Sequence, residues 1–270
     1  MIPSEERRIE MYPMDFEEFL WAYEGNNAFK SFDEIISNRQ TIPHEIHDNY
    51  LKKFRTYMLI GGMPKVLSIF LDTNSFFLAD EEKKNIIELY KEDLRKYDLK
   101  NKTVCELIFN SIPQQLAKEN KRFLIKSVNN AKYRQISKSL NDLCDFKIVN
   151  RVNHIATLDS PISLHIEEDR FKLYFCDTGL LISMLFRASK GKMNEVYFDF
   201  INGKKVSNMG SIFESISVQQ LVLNDLPVYY HKYNLLNKKE NKTKTYELDL
   251  VTELDFKVSA VEIKSSKNYT

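Results

Sequence analysis

Three carboxylates and one ammonium, from Glu214, Asp249, Glu262 and Lys264, are the side chains of this 270-residue sequence best ordered to do chemistry together. Asp249 and Glu262 offer the hard oxygen ligands that Mg²⁺ prefers, and Mg²⁺ held this way keeps several of its waters. Such an ion would polarise a phosphodiester oxygen and lower the pKa of a bound water, while Lys264 orients that water or stabilises developing charge. Glu214 would reach the ion directly or through water. The expected reaction is therefore Mg²⁺-dependent phosphodiester hydrolysis, with Glu214, Asp249, Glu262 and Lys264 as the catalytic set and Asp249 and Glu262 as metal ligands. The competing expectation is two amphipathic strands whose charges pair with one another on a solvated face.

An acid-x-Lys pattern decides nothing alone, because Glu81-Glu82-Lys83, Asp98-Leu99-Lys100, Glu119-Asn120-Lys121, Asp145-Phe146-Lys147 and Asp255-Phe256-Lys257 also carry it. Context singles out Glu262-Ile263-Lys264. In a strand, residues two apart point to the same face, so Glu262 and Lys264 project together while Val261 and Ile263 turn inward. Tyr246-Glu247-Leu248-Asp249-Leu250-Val251 does the same with Glu247 and Asp249, and a helix carrying Glu214 lies upstream. Helix acid, hairpin aspartate, then Glu-x-Lys on the next strand is the order of the PD-(D/E)xK nuclease core.

A second candidate is local charge. Between Lys118 and Lys138, the basic residues Lys118, Lys121, Arg122, Lys126, Lys132, Arg134 and Lys138 face a single acid, Glu119. If 131–146 is a recognition-type helix, Lys132 and Arg134 lie near its start, where a major groove and its phosphates would be met. Lys126, Lys132, Arg134 and Lys138 are the expected nucleic-acid contacts. The plain alternative is a solvated helix face. His44-x-x-His47 has helical spacing for a metal, but no third ligand is apparent and surface histidines are expected.

Helices dominate the first two-thirds. Asp15 and Glu18 form a capping box ahead of the stripe Phe16, Phe19, Leu20 and Tyr23, and Ser31 with Glu34 repeats the signal. Pro43 starts a longer helix whose Ile46, Tyr50, Leu51, Phe54 and Tyr57 share a face before Gly61-Gly62 ends it. Another amphipathic helix spans 79–97. Thr103 and Glu106 cap a further helix, Pro113 can open the next, and 131–146 is a third. Strand-like residues follow over 147–158 and 171–175, and Asp177 caps a helix. Three short helices and a β-ribbon give the order of a winged helix, and generic helical packing fits almost as well. A linker is expected over 188–205, a helix over 207–224, and strands over 228–233, 245–252 and 257–265.

The 39 basic and 38 acidic side chains nearly cancel, so any polyanion site must be local. Cys105, Cys144 and Cys176 are odd in number and make no CxxC pair, which argues against a disulfide framework or thiolate zinc site and fits a reducing compartment. No signal peptide or spanning segment is read, so the expected location is cytoplasmic, with no membrane partner. Gly191-Lys192 and Gly203-Lys204 lack the rest of a phosphate-binding loop, and ATP binding is not expected.

Several stretches together resemble the bacterial and archaeal AAA-type ATPases that carry the C-terminal domain of unknown function 4143. They are Arg8 through Leu20 (RIEMYPMDFEEFL), Gly61-Gly62-Met63-Pro64, Leu89 through Leu94, Ser111 through Lys118, Phe171 through Leu181, Gly210 through Glu214, and Val261 through Ser265. The resemblance implies an α+β fold: the end of an ATPase core over 1–24, a helical region over 25–100, a winged-helix-like domain over 101–187, and a partial PD-(D/E)xK nuclease-like α/β domain over 188–270. Both ends look cut, since the family's P-loop domain is missing and the sequence stops soon after Lys264. DNA and a separate P-loop ATPase domain or related family proteins are the implied partners, and Mg²⁺ the implied cofactor. The expectation is thus the C-terminal part of an AAA-type ATPase with a DNA-binding winged helix and a nuclease-like end. Its alternative is a non-enzymatic DNA- or protein-binding module, and a structural remnant with neither activity is a third.

Overall fold

Local chemistry sets most helix ends in the computed structural model, which describes residues 10–28, 30–97, 102–187, 193–204, 208–237 and 242–264. Helix α1 (Phe16–Glu24) starts at the expected capping box: the Asp15 carboxylate accepts the Glu18 N–H at 2.8 Å, and the Glu18 carboxylate accepts the Asp15 N–H at 2.9 Å. After α2 (Lys30–Ser37), α3 (His44–Ile60) stops at Gly61, whose φ of 87° is a conformation that favours glycine. Then come α4 (Pro64–Thr73), with proline in its first turn, and α5 (Phe76–Tyr97). Helix α6 (Lys102–Leu116) corrects one expectation, for Pro113 lies inside it rather than opening a new helix. Burial of Ile112 and Leu116 beside the proline offsets the hydrogen bond it cannot donate.

A 3₁₀ turn (Ile125–Ser127) and α7 (Tyr133–Asp145) precede the antiparallel strands β1 (Val149–Ile155) and β2 (Ile166–Phe175). The Phe123 N–H reaches the Phe171 carbonyl at 2.8 Å, so the segment before α7 is tied to β2. Helix α8 (Thr178–Leu185) is capped as expected by Asp177, which accepts the Leu180 N–H at 2.9 Å. The expected linker contains α9 (Met193–Ile201) instead, because Tyr197 and Phe200, three apart, are both buried. Helix α10 (Met209–Leu223) follows, then β3 (Tyr229–Asn237), β4 (Lys242–Leu254) and β5 (Lys257–Val261).

The fold is α+β, with a five-stranded sheet ordered β2-β1-β3-β4-β5. Neighbours are antiparallel except β1 and β3, which pair in parallel over Asn153–Tyr229 and His154–Tyr230. This short parallel pairing joins the ribbon of 101–187 to the hairpins of 188–270 in one sheet. Two large cores lie beside it. One gathers Phe19, Tyr57, Ile60 and Phe70 from the early helices with Ile182, Tyr197, Phe200, Ile212 and Ile216. The other packs Phe109, Ile112, Ile136 and Leu140 onto Val152, Phe171, Leu173 and Phe175 of the sheet. No helix among the described residues is long and apolar enough to cross a membrane.

Candidate functional site

Helix α10 is enclosed on most sides, which is why an acid on it becomes a special case. Ile212 and Ile216 enter one core, and Val218 enters the other. Glu214 lies on the same helix with only 1% of its surface exposed. A carboxylate in such a place must be compensated or it gives up its charge. Compensation comes from several elements: Lys172 of β2 binds Oε1 at 2.8 Å, Tyr174 of the same strand donates its hydroxyl to Oε1, and Lys121 from the α6–α7 connection binds Oε2. Burial raises the Glu214 pKa, but Lys172 and Lys121 outweigh it and leave the carboxyl below the usual glutamate range. Lys172 also binds Glu247 of β4 at 2.8 Å, and Glu247 binds Lys232 of β3 at 3.1 Å. Burial opposes the charge on Lys172, yet Glu214 and Glu247 hold its pKa above the ordinary lysine value.

Asp249 sits on β4, close enough for its carboxyl to feel the charges of Glu214 and Glu262. Burial first, and then those two acids, raise its pKa, although the Ile263 N–H donates to Oδ2 at 2.9 Å. That bond also explains where β5 stops. The last ladder pair is Leu250–Val261, after which the backbone N–H of Ile263 turns to the Asp249 side chain instead of the strand. Glu262 and Lys264 therefore follow the strand rather than lie in it, and the expected run to Ser265 is shorter, with 265 outside the described residues. They pair with each other at the surface, where Ser217, Val261 and Ile263 join them around an open cavity of about 540 Å³.

The four acids and bases singled out in the sequence thus divide. Glu214 is buried, Asp249 is half-buried within reach of its charge, and Glu262 and Lys264 form an exposed pair. As arranged, these donors do not fit Mg²⁺: both oxygens of Glu214 are taken by lysines and a tyrosine, Asp249 accepts a backbone N–H, and Glu262 is engaged by Lys264. Among the described residues no three His, Cys, Asp or Glu side chains gather as a metal cage. His44 and His47 are both exposed, with His47 beside Asp48.

Sequence reading missed Lys121, Lys172, Tyr174 and Glu247 as members of this cluster. A local signal existed for two of them: Lys172 and Tyr174 are two apart in the apolar run Phe171–Phe175, so they share a strand face.

The segment that carries the exposed cations is built the opposite way. Ile136, Leu140 and Leu143 bury one face of α7, leaving Arg134, Lys138 and Asn141 exposed at helical spacing on the other. Its first turn is fixed by Gln135, whose side-chain carbonyl accepts the Lys132 N–H at 2.7 Å. Lys126, Lys132, Arg134 and Lys138 are all exposed, and none joins an ion pair among the described residues. The connection between β1 and β2 is not a free wing. Its 3₁₀ turn (Ile162–His165) is held by Glu253 of β4, which accepts the Ile162 N–H at 2.9 Å and the Ser160 hydroxyl.

No disulfide joins Cys105, Cys144 and Cys176, and burial pushes the Cys144 thiol up to about 11, an unreactive state at neutral pH. No curated protein matches the chain, and no solved structure does. Residues 51–191, more than half of the sequence, match the family described as Domain of unknown function (DUF8612), and the chain belongs to that family.

Proposed function

We propose that this chain is a non-enzymatic DNA-binding module that lays the exposed face of α7 against a duplex, and that its β3–β5 end is a nuclease-like scaffold rather than a cutting site. One observation carries the reading: Lys126, Lys132, Arg134 and Lys138 are exposed without ion-pair partners among the described residues, around a helix followed by a two-stranded ribbon. In a chain whose charges nearly cancel, such a group is a local polyanion site. The cations contribute phosphate contacts, and Asn141 is of a type that can hydrogen-bond base edges. The order α6, 3₁₀ turn, α7, β1, β2 supports a winged helix.

In this reading, which draws on the resemblance of the sequence to AAA-type ATPases with domain 4143, the module follows a P-loop domain in a larger protein or assembly. Without a P-loop, the module itself is not expected to bind ATP. The compartment in this reading is cytoplasmic, in keeping with three unbridged cysteines.

Mg²⁺-dependent hydrolysis is the second reading, favoured by Glu262 and Lys264 lining the open cavity beside Ser217, and it requires Asp249 and Glu262 to give up the partners they hold in this arrangement. Anisotropy of a labelled duplex and a plasmid-nicking assay with Mg²⁺ separate the two. The module reading expects binding, weakened roughly tenfold or more by Lys132→Glu with Arg134→Glu, and no nicking by any form. Nicking that disappears in Glu262→Ala and Lys264→Ala would replace it with the enzyme reading. Binding indifferent to the charge reversal would remove α7 from the account.

A further inference from the structure

Past the His154–Tyr230 pair β1 no longer accompanies β3, and past the Leu250–Val261 pair β5 no longer accompanies β4. Strands β3 and β4 run on together, from His231–Leu248 to Asn237–Lys242, as a two-stranded arm whose outer edges meet no strand among the described residues. Residues directly opposite in an antiparallel pair share a face, so the arm has two different sides. On one, Lys232 binds Glu247 at 3.1 Å and the Thr245 hydroxyl donates to the Asn234 side chain at 2.7 Å, so polar groups satisfy one another. The other side carries His231 and Leu248, then Tyr233 and Tyr246, then Leu235 and Lys244. Its rings form a row. The His231 and Tyr233 centroids lie 5.4 Å apart with planes 18° apart, and those of Tyr233 and Tyr246 lie 5.7 Å apart with planes 19° apart. The Lys244 ammonium sits 5.2 Å from the Tyr246 centroid, and Leu235, Lys244 and Tyr246 are exposed. Over these residues the side holds no carboxylate, and Lys244 joins no ion pair among the described residues.

A row of near-parallel rings beside a cation, with no acid, suits a ligand that combines flat π faces with negative charge. Nucleic acid with unpaired bases is that ligand. In a duplex each base face is covered by its neighbours, whereas a single strand can stack its bases on Tyr233 and Tyr246 while Lys244 meets a phosphate. We propose that this side of the β3–β4 arm is a binding site for single-stranded nucleic acid, with Tyr233 and Tyr246 as its stacking platform and Lys244 as its phosphate contact. The site is separate from the duplex face of α7 and does not depend on that reading.

Labelled oligothymidylate and oligouridylate are the probes, followed by anisotropy with the full chain, and a labelled duplex is the reference. Wild type is expected to bind both single strands, and the tighter of the two names DNA or RNA as the ligand. Tyr233→Leu with Tyr246→Leu is expected to weaken that binding at least about tenfold, whereas Tyr233→Phe with Tyr246→Phe keeps it within about twofold. Lys244→Ala, a surface change, is expected to flatten the slope of log affinity against log salt by about 0.7. Duplex affinity is expected to stay unchanged in all three. If the leucine pair unfolds the chain, Lys244→Ala decides alone. The proposal is overturned by wild type that binds neither strand, by a folded leucine pair that binds as wild type does, or by a salt slope that Lys244→Ala does not move. A dimer in sedimentation that Leu235→Asp breaks overturns it too, since a second copy would then cover the arm. Absence of duplex binding sinks the α7 reading and leaves this one standing, because the two probes are measured apart.

Discussion

Lys121 and Lys126 sit on the same connection between α6 and α7, yet Lys121 reaches inward to Glu214 while Lys126 is exposed, as are Lys132, Arg134 and Lys138. The inward set, Lys121 and Lys172, is bound to carboxylates that are themselves buried or half-buried. The outward set meets no carboxylate among the described residues. Residue type is the same and commitment differs. A buried, paired charge is fixed by geometry and little affected by salt, whereas an exposed, unpaired one is free for a polyanion and is screened by salt. Counting basic residues between 118 and 138 therefore overstates the exposed, unpaired cations, because at least Lys121 is bound in the interior.

Breaking the inward set has the largest expected effect. Glu214→Ala leaves Lys172 without one of its two acids in a buried place, and is expected to cost about 3–5 kcal/mol of unfolding free energy in urea. A smaller loss of about 1–3 kcal/mol is expected for Tyr57→Phe, a neighbouring buried polar junction. The Tyr57 hydroxyl donates to the Met14 carbonyl at 2.7 Å and accepts from Gln219 and Gln220 at 3.0 Å each. Little change in either variant would mean that these interior bonds do not fix the fold.

pH sharpens the same contrast. Glu214 and Glu247 have lowered pKa values in the fold, so their contribution is fully present above the ordinary glutamate value of about 4.3. It is lost as pH falls through their lowered folded values. Asp249 runs the other way: its pKa is raised, so its charge weakens the fold once pH rises from the ordinary aspartate value through the raised one. Asp249→Asn is therefore expected to gain a little stability at neutral pH and less in acid, provided the amide oxygen keeps the Ile263 N–H. A thermal-melt series across pH reads both slopes. Smallest of all is Lys264→Ala, whose exposed pair with Glu262 is expected to leave the melting temperature unchanged.

Much of the helical frame was legible because its signals are local. Asp15 with Glu18, Gly61 after the apolar stripe of α3, and Asp177 ahead of α8 each act within one turn, and each lies where it was expected. Helix α9 was hidden by the soluble look of its neighbours, since only the burial of Tyr197 and Phe200 against distant helices makes it part of the core. The end of β5 was hidden too, because the Asp249 side chain competes for the Ile263 N–H. Strand parity put Glu247 and Asp249 on one face of β4 but did not mark Glu247 as a partner of Lys172. Nothing near Lys172 in the sequence says that it will meet Glu214 and Glu247, for that depends on how the ribbon and hairpins join in one sheet through the β1–β3 pairing.

The salt dependence of duplex affinity tests the division between available and committed cations most directly. Each lost phosphate contact should reduce the slope of log affinity against log salt by about 0.9. Lys132→Ala with Arg134→Ala is expected to flatten the slope by nearly two such steps, while Lys121→Met leaves it unchanged. A slope unaltered by the first pair, or flattened as strongly by Lys121→Met, would contradict the account.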